Sequence, residues 1–125
     1  MKIRKVRVGI KDLKTALNEF VVIGKAVEDG KAVKKDKGVY FTTVEAFRKA
    51  ITPKRLALLK AIKTEKPSSV RQLSKIAERD VKNVSTDVKF LEQVGLVDIK
   101  KNDKTEKKIT PSVNYDRILF EIAVS

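Results

Sequence analysis

The segment from residue 82 to residue 89 carries side chains suited to specific hydrogen bonding. Its ammonium, amide and hydroxyl groups can bond the base edges or phosphates of nucleic acid. Helical spacing places most of them on one face. The candidates are Lys82, Asn83, Ser85, Thr86 and Lys89. We expect the first four to enter the major groove and Lys89 to touch phosphate. The alternative is an ordinary solvated helix surface, which carries the same residue types.

The sequence lacks the residue types and motifs that catalytic sites commonly use. The chain has no histidine and no cysteine. It also shows no Gly-rich phosphate loop and no compact set of carboxylates beside a base. Metal, nucleophilic and acid-base sites therefore lack ligands or reacting groups. We expect a protein that is not an enzyme and needs no cofactor or metal.

A helix over residues 81–94 is predicted to position the polar group. Its apolar stripe consists of Val81, Val84, Val88 and Leu91. Asp80 is a candidate N-cap, and Gly95 suits the left-handed position that ends a helix. Asp87 lies near the stripe, where we expect it to bond Lys or Arg and orient the helix. Phe90 is off the stripe and is expected to pack against the N-terminal segment or a partner subunit.

Two helices are predicted just before it. Thr52 and Pro53 are N-cap and first-turn residues of a helix to about Thr64. Its expected buried side is Leu56, Leu59 and Ile62. A capping box at 69–72 starts a helix ending near Glu78, with Val70, Leu73, Ile76 and Ala77 on its apolar face. This succession is typical of a helix-turn-helix, with 81–94 as the recognition helix.

A basic hairpin is predicted after Gly95. Residues 96–101 and 106–110 read as strands around a polar turn at 102–105. A hairpin beside a recognition helix is a wing, which can meet flanking phosphates. The alternative is a solvated charged hairpin. On the wing and its flanks, the residues proposed to contact the nucleic-acid backbone are Arg71, Lys100, Lys101, Lys104, Lys107 and Lys108.

The N-terminal part is predicted to form a strand-helix-strand-helix extension. The elements are a strand at 2–10, an amphipathic helix at 12–27, a charged loop at 28–38, a strand at 39–41, and a helix to about Ile51 after a capping box at 42–45. Alternating apolar residues from Tyr115 onward predict a final strand, paired with the first strand or with the wing. The expected fold is α+β. Residues 1–51 form the extension for dimerisation or partner binding, and 52–125 form the winged helix-turn-helix.

Charge favours a polyanionic partner. The 29 Lys+Arg and 16 Asp+Glu give a net charge of +13 over 125 residues. Neutralising phosphates releases counterions and drives association. The alternative is a lysine-rich, thermophile-like composition. No apolar run is long enough for a bilayer, so we expect a cytoplasmic, nucleoid-associated protein without a membrane partner.

Several motifs resemble a known family. They are Ile51-Thr-Pro-Lys-Arg-Leu56, Ser69-Val-Arg-Gln-Leu73, Arg79-Asp-Val-Lys-Asn-Val84 and Tyr115-Asp-Arg-Ile118. The pattern is similar to small prokaryotic MarR-like winged-helix regulators, several of which are antitoxins of toxin-antitoxin pairs. The family often has tyrosine at the position of Val81, and histidine and arginine at Ser85 and Thr86. Its target sequence is therefore not carried over.

Two functions follow as expectations. The first is a sequence-specific regulator, a repressor, that binds double-stranded DNA as a homodimer on a pseudo-palindrome. The second, implied by the resemblance alone, is an antitoxin that neutralises a cognate toxin protein and autoregulates its operon. RNA binding is a third option, but no RNP-like strand or GXXG loop is present.

Overall fold

The chain divides into two compact units. The computed structural model describes residues 3–11, 38–101, 109–122 and 124. One unit, here the helical unit, comprises Met1–Arg4 and Ala50–Asp116, and the other, the sheet unit, comprises Lys5–Lys49 and Arg117–Ser125. Within the described residues the fold is α+β, with four helices and two sheets. The sequence boundary at 51/52 lies close to the Lys49/Ala50 division, but the final strand falls in the sheet unit.

Three parallel strands form the sheet of the sheet unit. They are β1 (Lys5–Ile10), β2 (Gly38–Phe41) and β5 (Arg117–Ile122), in the order β2-β1-β5. The register pairs Val8 with Val39 on one side and with Phe120 on the other. Val6 and Val8 are buried, whereas Lys5 before them and Arg7 between them are exposed, as expected of a strand with one covered face. The predicted helix at 12–27 and the loop after it lie outside the described residues.

Helix α1 (Val44–Ala50) follows β2 and begins one residue later than its capping box predicts. The Thr43 hydroxyl accepts a hydrogen bond from the Ala46 N–H at 3.0 Å. Thr43 is thus the cap, and the expected Thr42 to Glu45 pairing is wrong. Phe47 on α1 stacks on Phe120 with 4.3 Å between ring centroids and meets Phe41 edge-on at 5.9 Å. These rings attach α1 to the sheet.

Three helices and a hairpin form the helical unit. The helices are α2 (Pro53–Glu65), α3 (Val70–Ala77) and α4 (Val81–Val94). Strands β3 (Asp98–Lys101) and β4 (Ile109–Ser112) pair antiparallel. The core is made of apolar side chains from every one of these helices and from the segments around the hairpin. Its members include Leu58, Leu59, Ile62, Leu73, Val84, Val88, Leu91, Leu96, Val97 and Val113.

Local capping explains where two of the helices start. The Thr52 hydroxyl accepts from the Arg55 N–H at 3.2 Å, and the Ser69 hydroxyl accepts from the Gln72 N–H at 3.0 Å, as predicted. Asp80 occupies the N-cap position of α4, as predicted, but its side chain makes no capping hydrogen bond. Its backbone carbonyl nevertheless accepts from the Val84 N–H at 3.0 Å and begins α4.

The buried side of α2 differs from the expected one. Leu56 is 44% exposed, whereas Leu58 is buried beside Leu59 and Ile62. The face that carries these three residues also carries Arg55, three residues before Leu58. Because Arg55 is charged, the spacing of apolar residues alone does not identify this buried side of α2. Ile76 and Val81 are both 40% exposed, so they also leave the predicted apolar faces.

None of the described helices is both long enough and apolar enough to span a bilayer.

Candidate nucleic-acid interface

The exposed face of α4 brings the predicted reading residues together. Val84, Val88 and Leu91 are buried on the opposite side of the helix and fix its rotation. Ser85 is half-buried and is therefore the least accessible member of the group. The exposed members are Lys82, Asn83, Thr86 and Lys89. The result is a polar helix face, here the α4 polar face, defined by these four residues.

Thr86 is tied to its own helix. Its hydroxyl donates to the Lys82 carbonyl oxygen at 3.0 Å, a bond to the preceding turn. The hydroxyl proton is thus used, while the oxygen lone pairs and the methyl group remain available to a ligand. Thr86 can therefore accept a hydrogen bond or make apolar contact while it keeps this internal bond.

Asp87 fixes α4 against the two preceding elements. Arg55 Nε on α2 donates to Asp87 Oδ1 at 3.1 Å, and Arg79 Nη2 before α4 donates to Asp87 Oδ2 at 2.8 Å. The carboxylate side chain is only 15% exposed. This confirms the prediction that Asp87 bonds Arg. Such charge-assisted bonds are directional, so they restrict the rotation of the α4 polar face.

The pKa of Asp87 reflects this environment. Burial of the carboxyl group by itself raises its pKa, but the hydrogen bonds and positive charges of Arg79 and Arg55 outweigh burial. The net effect lowers the pKa of Asp87 below its ordinary value. Asp87 is therefore a carboxylate at neutral pH, and its negative charge compensates the positive charges of Arg55 and Arg79.

Phe90 contacts α2. The Arg55 guanidinium lies over the Phe90 ring, 4.1 Å from its centroid, in a cation-π contact. The packing of Phe90 is therefore intramolecular, and its described partner is Arg55 on α2 instead of the expected N-terminal segment. Arg55 also donates to the Ala50 carbonyl oxygen at 3.0 Å. One arginine thus connects Ala50, Asp87 and Phe90, a role that the sequence pattern did not predict.

In the described residues, the first hairpin strand starts two residues later than predicted and the second ends two residues later. Leu96 and Val97 precede β3, because their N–H groups bond the Leu91 carbonyl at the exit of α4. Strand β4 extends through Pro111, which lies opposite Ile99. Proline lacks the N–H that a ladder needs, so the sequence pattern ended the strand too early. Thr110 donates from its hydroxyl to the Ser68 carbonyl at 2.7 Å and attaches the hairpin to the α2–α3 connection.

The residues that are predicted to contact the DNA backbone lie on different elements of the structure. Lys100 is exposed on β3, opposite Thr110, and Arg71 is exposed in the first turn of α3. Lys101 is the last residue of β3, with Ile109 as its partner. The side chain of Lys101 and all of Lys104, Lys107 and Lys108 lie outside the described residues. The basic tip of the wing therefore stays a prediction.

A basic groove lies beside the hairpin. It has a volume of about 530 Å³ and is lined by the C-terminal turn of α2, by the hairpin and by residues 113–116. Its cations are Arg4, Lys63, Lys66 and Lys100, and its acid is Asp116. Asp116 accepts from the Arg4 N–H at 2.9 Å and lies 3.2 Å from Lys63 Nζ. Lys63 and Lys66 were not predicted, although lysines at the end of a helix beside a wing are a recognisable signal.

The pKa of Asp116 is lowered, first by the hydrogen bond from the Arg4 backbone N–H and then by Lys63. In the described part of the chain, no group of three or more acidic residues could hold a metal ion.

The class is thus an α+β protein whose helical unit presents a polar helix face and carries a two-stranded hairpin. The model of the HVO_A0114 family matches residues 50–120, more than half of the chain, and the chain belongs to that family. The match starts where the helical unit starts and extends into β5. No curated protein matches the chain.

Proposed function

We propose that this protein is a sequence-specific DNA-binding regulator of the winged helix-turn-helix type. In this proposal α4 lies in the major groove and the β3–β4 hairpin contacts the flanking backbone. One observation carries the proposal: the α4 polar face is exposed on the side opposite the buried Val84, Val88 and Leu91. The order of α2, α3 and α4 followed by a hairpin supports it. The net charge of +13 supplies the attraction to phosphate.

The turn between α3 and α4 supports the same geometry. Glu78 adopts a left-handed conformation with φ 53°, and the Arg79 N–H donates to the Ser74 carbonyl at 3.1 Å. Arg79 then bonds Asp87 on α4. A short turn held in this way gives the second helix a fixed direction, which a reading helix needs in order to hold several side chains in register with bases.

The chemistry of the α4 polar face indicates which bases it can read. Asn83 can bond both N6 and N7 of adenine. Lys82 can donate to O6 and N7 of guanine, and the Thr86 methyl can contact thymine. Lys89, farther from the helix N-terminus, is suited to phosphate. A single reading helix contacts few base pairs, so we propose a homodimer on a pseudo-palindromic site. Occupation of a promoter by such a dimer would repress it.

The antitoxin alternative rests on the sequence resemblance. No contact or surface in the described residues favours it over DNA binding, so it stays a prediction.

The test compares fluorescence anisotropy of two labelled DNA duplexes, one from the region upstream of the coding sequence and one of random sequence. Asn83→Ala is expected to weaken binding to the preferred duplex by about 1–3 kcal/mol and leave random DNA unchanged. Lys100→Ala is expected to weaken binding to both duplexes and lower the salt slope by about 1. Lys60→Ala, which removes an exposed lysine from α2, is the matched control.

The proposal fails if affinity for both duplexes is the same in all three variants and the parent protein. A steep salt dependence without any preference between duplexes would contradict sequence-specific reading and leave a general polyanion binder. Tighter binding to single-stranded RNA than to either duplex would contradict it in favour of RNA.

A further inference from the structure

Strand β5 is an edge strand with an apolar surface. Among the described residues it pairs only with β1, on one of its two sides. Alternate N–H and C=O groups of an edge strand point away from the sheet and can pair with another strand. Leu119, Phe120 and Ile122 are 38%, 44% and 49% exposed. Edge strands are commonly protected by proline, lysine or a bulge, and β5 contains no proline and no lysine.

The sequence of β5 is complementary to itself when reversed. If two copies pair antiparallel about Leu119, Arg117 lies opposite Glu121 of the second copy. Ile118 lies opposite Phe120 of the second copy, and the two Leu119 side chains face each other. Opposite charges and aromatic-aliphatic pairs are the favourable cross-strand combinations. Every position from 117 to 121 therefore finds a suitable partner in a single register.

We propose that two copies of this chain associate through antiparallel pairing of their β5 strands about Leu119. The two three-stranded sheets then form one continuous sheet across a two-fold axis. In a two-fold interface, the same patch must fit itself, and a palindromic pattern of charge meets that condition. Charge complementarity thus selects a second copy as the occupant of this edge. The edge belongs to the sheet unit, whereas the proposed DNA contacts lie in the helical unit.

The charged residues are available for this contact. Arg117 and Glu121 are both exposed. Among the described residues, Glu121 forms an ion pair with Arg7 at 4.0 Å, and the side chains of Arg7 and Glu121 are 53% and 60% exposed. An exposed pair at that distance contributes little. Glu121 can therefore contact Arg117 of the second copy without the loss of a strong internal bond.

The test measures the dimer dissociation constant of the full chain by sedimentation equilibrium, without DNA. Arg117→Glu and Glu121→Arg each place like charges opposite each other in both symmetric pairs, so each is expected to weaken the dimer about tenfold. An equimolar mixture of these two variants restores opposite charges in both pairs of a heterodimer. It is expected to recover the affinity of the parent protein, as is the double variant R117E/E121R. Arg48→Glu, with the same charge change on α1, is the control.

Thermal melts of every variant establish that each one folds. Recovery on mixing supports the antiparallel register, because weakening by misfolding would persist in the mixture. A monomeric parent protein, equal dissociation constants for parent and single variants, or no recovery on mixing would overturn the proposal. Because no DNA is present, these outcomes are independent of the Asn83 and Lys100 results. A protein that dimerises and ignores DNA would contradict only the proposed function.

Discussion

Asp87 connects three parts of the helical unit through one carboxylate. It bonds Arg55 and Arg79, and Arg55 in turn covers the Phe90 ring. Arg79 Nη1 is buried and has no hydrogen-bond partner within the described residues. Within the described residues, Asp87 is the carboxylate that these two partly buried cations share. Removal of the shared carboxylate leaves two partly buried cations without it, which costs more than the ion pairs themselves contribute.

Asp87→Asn is expected to lower the free energy of unfolding at neutral pH by about 2–3 kcal/mol. Because the pKa of Asp87 is lowered in the folded protein, its contribution is present above the unfolded pKa of about 4 and is lost as the pH falls through the folded value. The difference between parent and variant should therefore shrink at acid pH. Urea unfolding at several pH values measures it.

The control for this substitution is Asp80→Asn. Asp80 lies just before the same helix but makes no side-chain capping bond. Its substitution removes the same charge and is expected to cost less than about 1 kcal/mol, through the helix dipole alone. Equal losses in the two variants would show that net charge matters here and that the arginine bonds do not.

Tyr115 is a second residue whose environment controls its ionisation. Its hydroxyl donates to the Leu96 carbonyl at 2.8 Å. Burial, followed by the charge of Asp98, raises the pKa of Tyr115 to about 12. The folded state thus favours the neutral phenol. Its contribution to stability is fully present below the unfolded pKa of about 10 and is lost as the pH rises through about 12.

Tyr115→Phe is expected to cost about 1 kcal/mol at neutral pH, because the Leu96 carbonyl loses its donor. Above about pH 10 the variant should lose stability less steeply than the parent protein. Tyrosinate absorbance during alkaline titration, compared between the two proteins, isolates the Tyr115 transition. If the absorbance difference between the two proteins titrates at the ordinary tyrosine pKa, that result contradicts the buried hydrogen bond.

Helix ends in the helical unit rely on left-handed residues. The C-cap residues that follow α2, α3 and α4 are Lys66, Glu78 and Gly95, with φ of 47°, 53° and 92°. Only at Gly95 is the residue one that adopts this conformation without a side-chain penalty. Gly95 matters most for the proposed site, because the chain turns there from α4 into the hairpin. Lys66 and Glu78 retain side chains at an energetic cost.

Gly95→Ala is expected to destabilise the protein by about 1 kcal/mol or more, since alanine is strained at positive φ. Glu78→Gly should do the opposite and stabilise it by about 0.5–1 kcal/mol, because it relieves the same strain. Chemical denaturation of both variants gives the two values. Changes of opposite sign in the free energy of unfolding support backbone conformation as the cause. A loss of stability in both variants would instead point to lost side-chain contacts at Glu78.

Much of the helical unit follows from local sequence signals, whereas several tertiary features do not. Helix α4 starts and ends as predicted because its stripe and Gly95 act locally. The Arg55 contacts could not be predicted, because no periodicity indicates that a charged residue faces the core. Strand β5 illustrates a different limit: alternation predicts a strand but leaves its partner open, and the structure pairs it with β1. The exposure of its edge emerges only from that topology.

The whole molecule carries a net charge of +13, and this excess affects the folded state itself. Like charges repel more strongly in a compact chain than in an expanded one. Salt screens exposed charges within about 10 Å at 0.1 M but affects partly buried pairs such as those of Asp87 much less. The favourable charge contacts should therefore survive at salt concentrations that remove most of the repulsion.

We accordingly expect the melting temperature to rise by a few degrees as NaCl increases from about 0.01 to 0.3 M. NaCl is preferable to sulfate, which also strengthens apolar burial. A double variant, K54Q/K60Q, removes two exposed lysines of α2 and should show a smaller rise, because it begins with less repulsion. Differential scanning calorimetry on both proteins measures the slopes. A melting temperature that falls with salt would mean that exposed ion pairs outweigh the net repulsion, and the excess charge would then have no measurable cost to the fold.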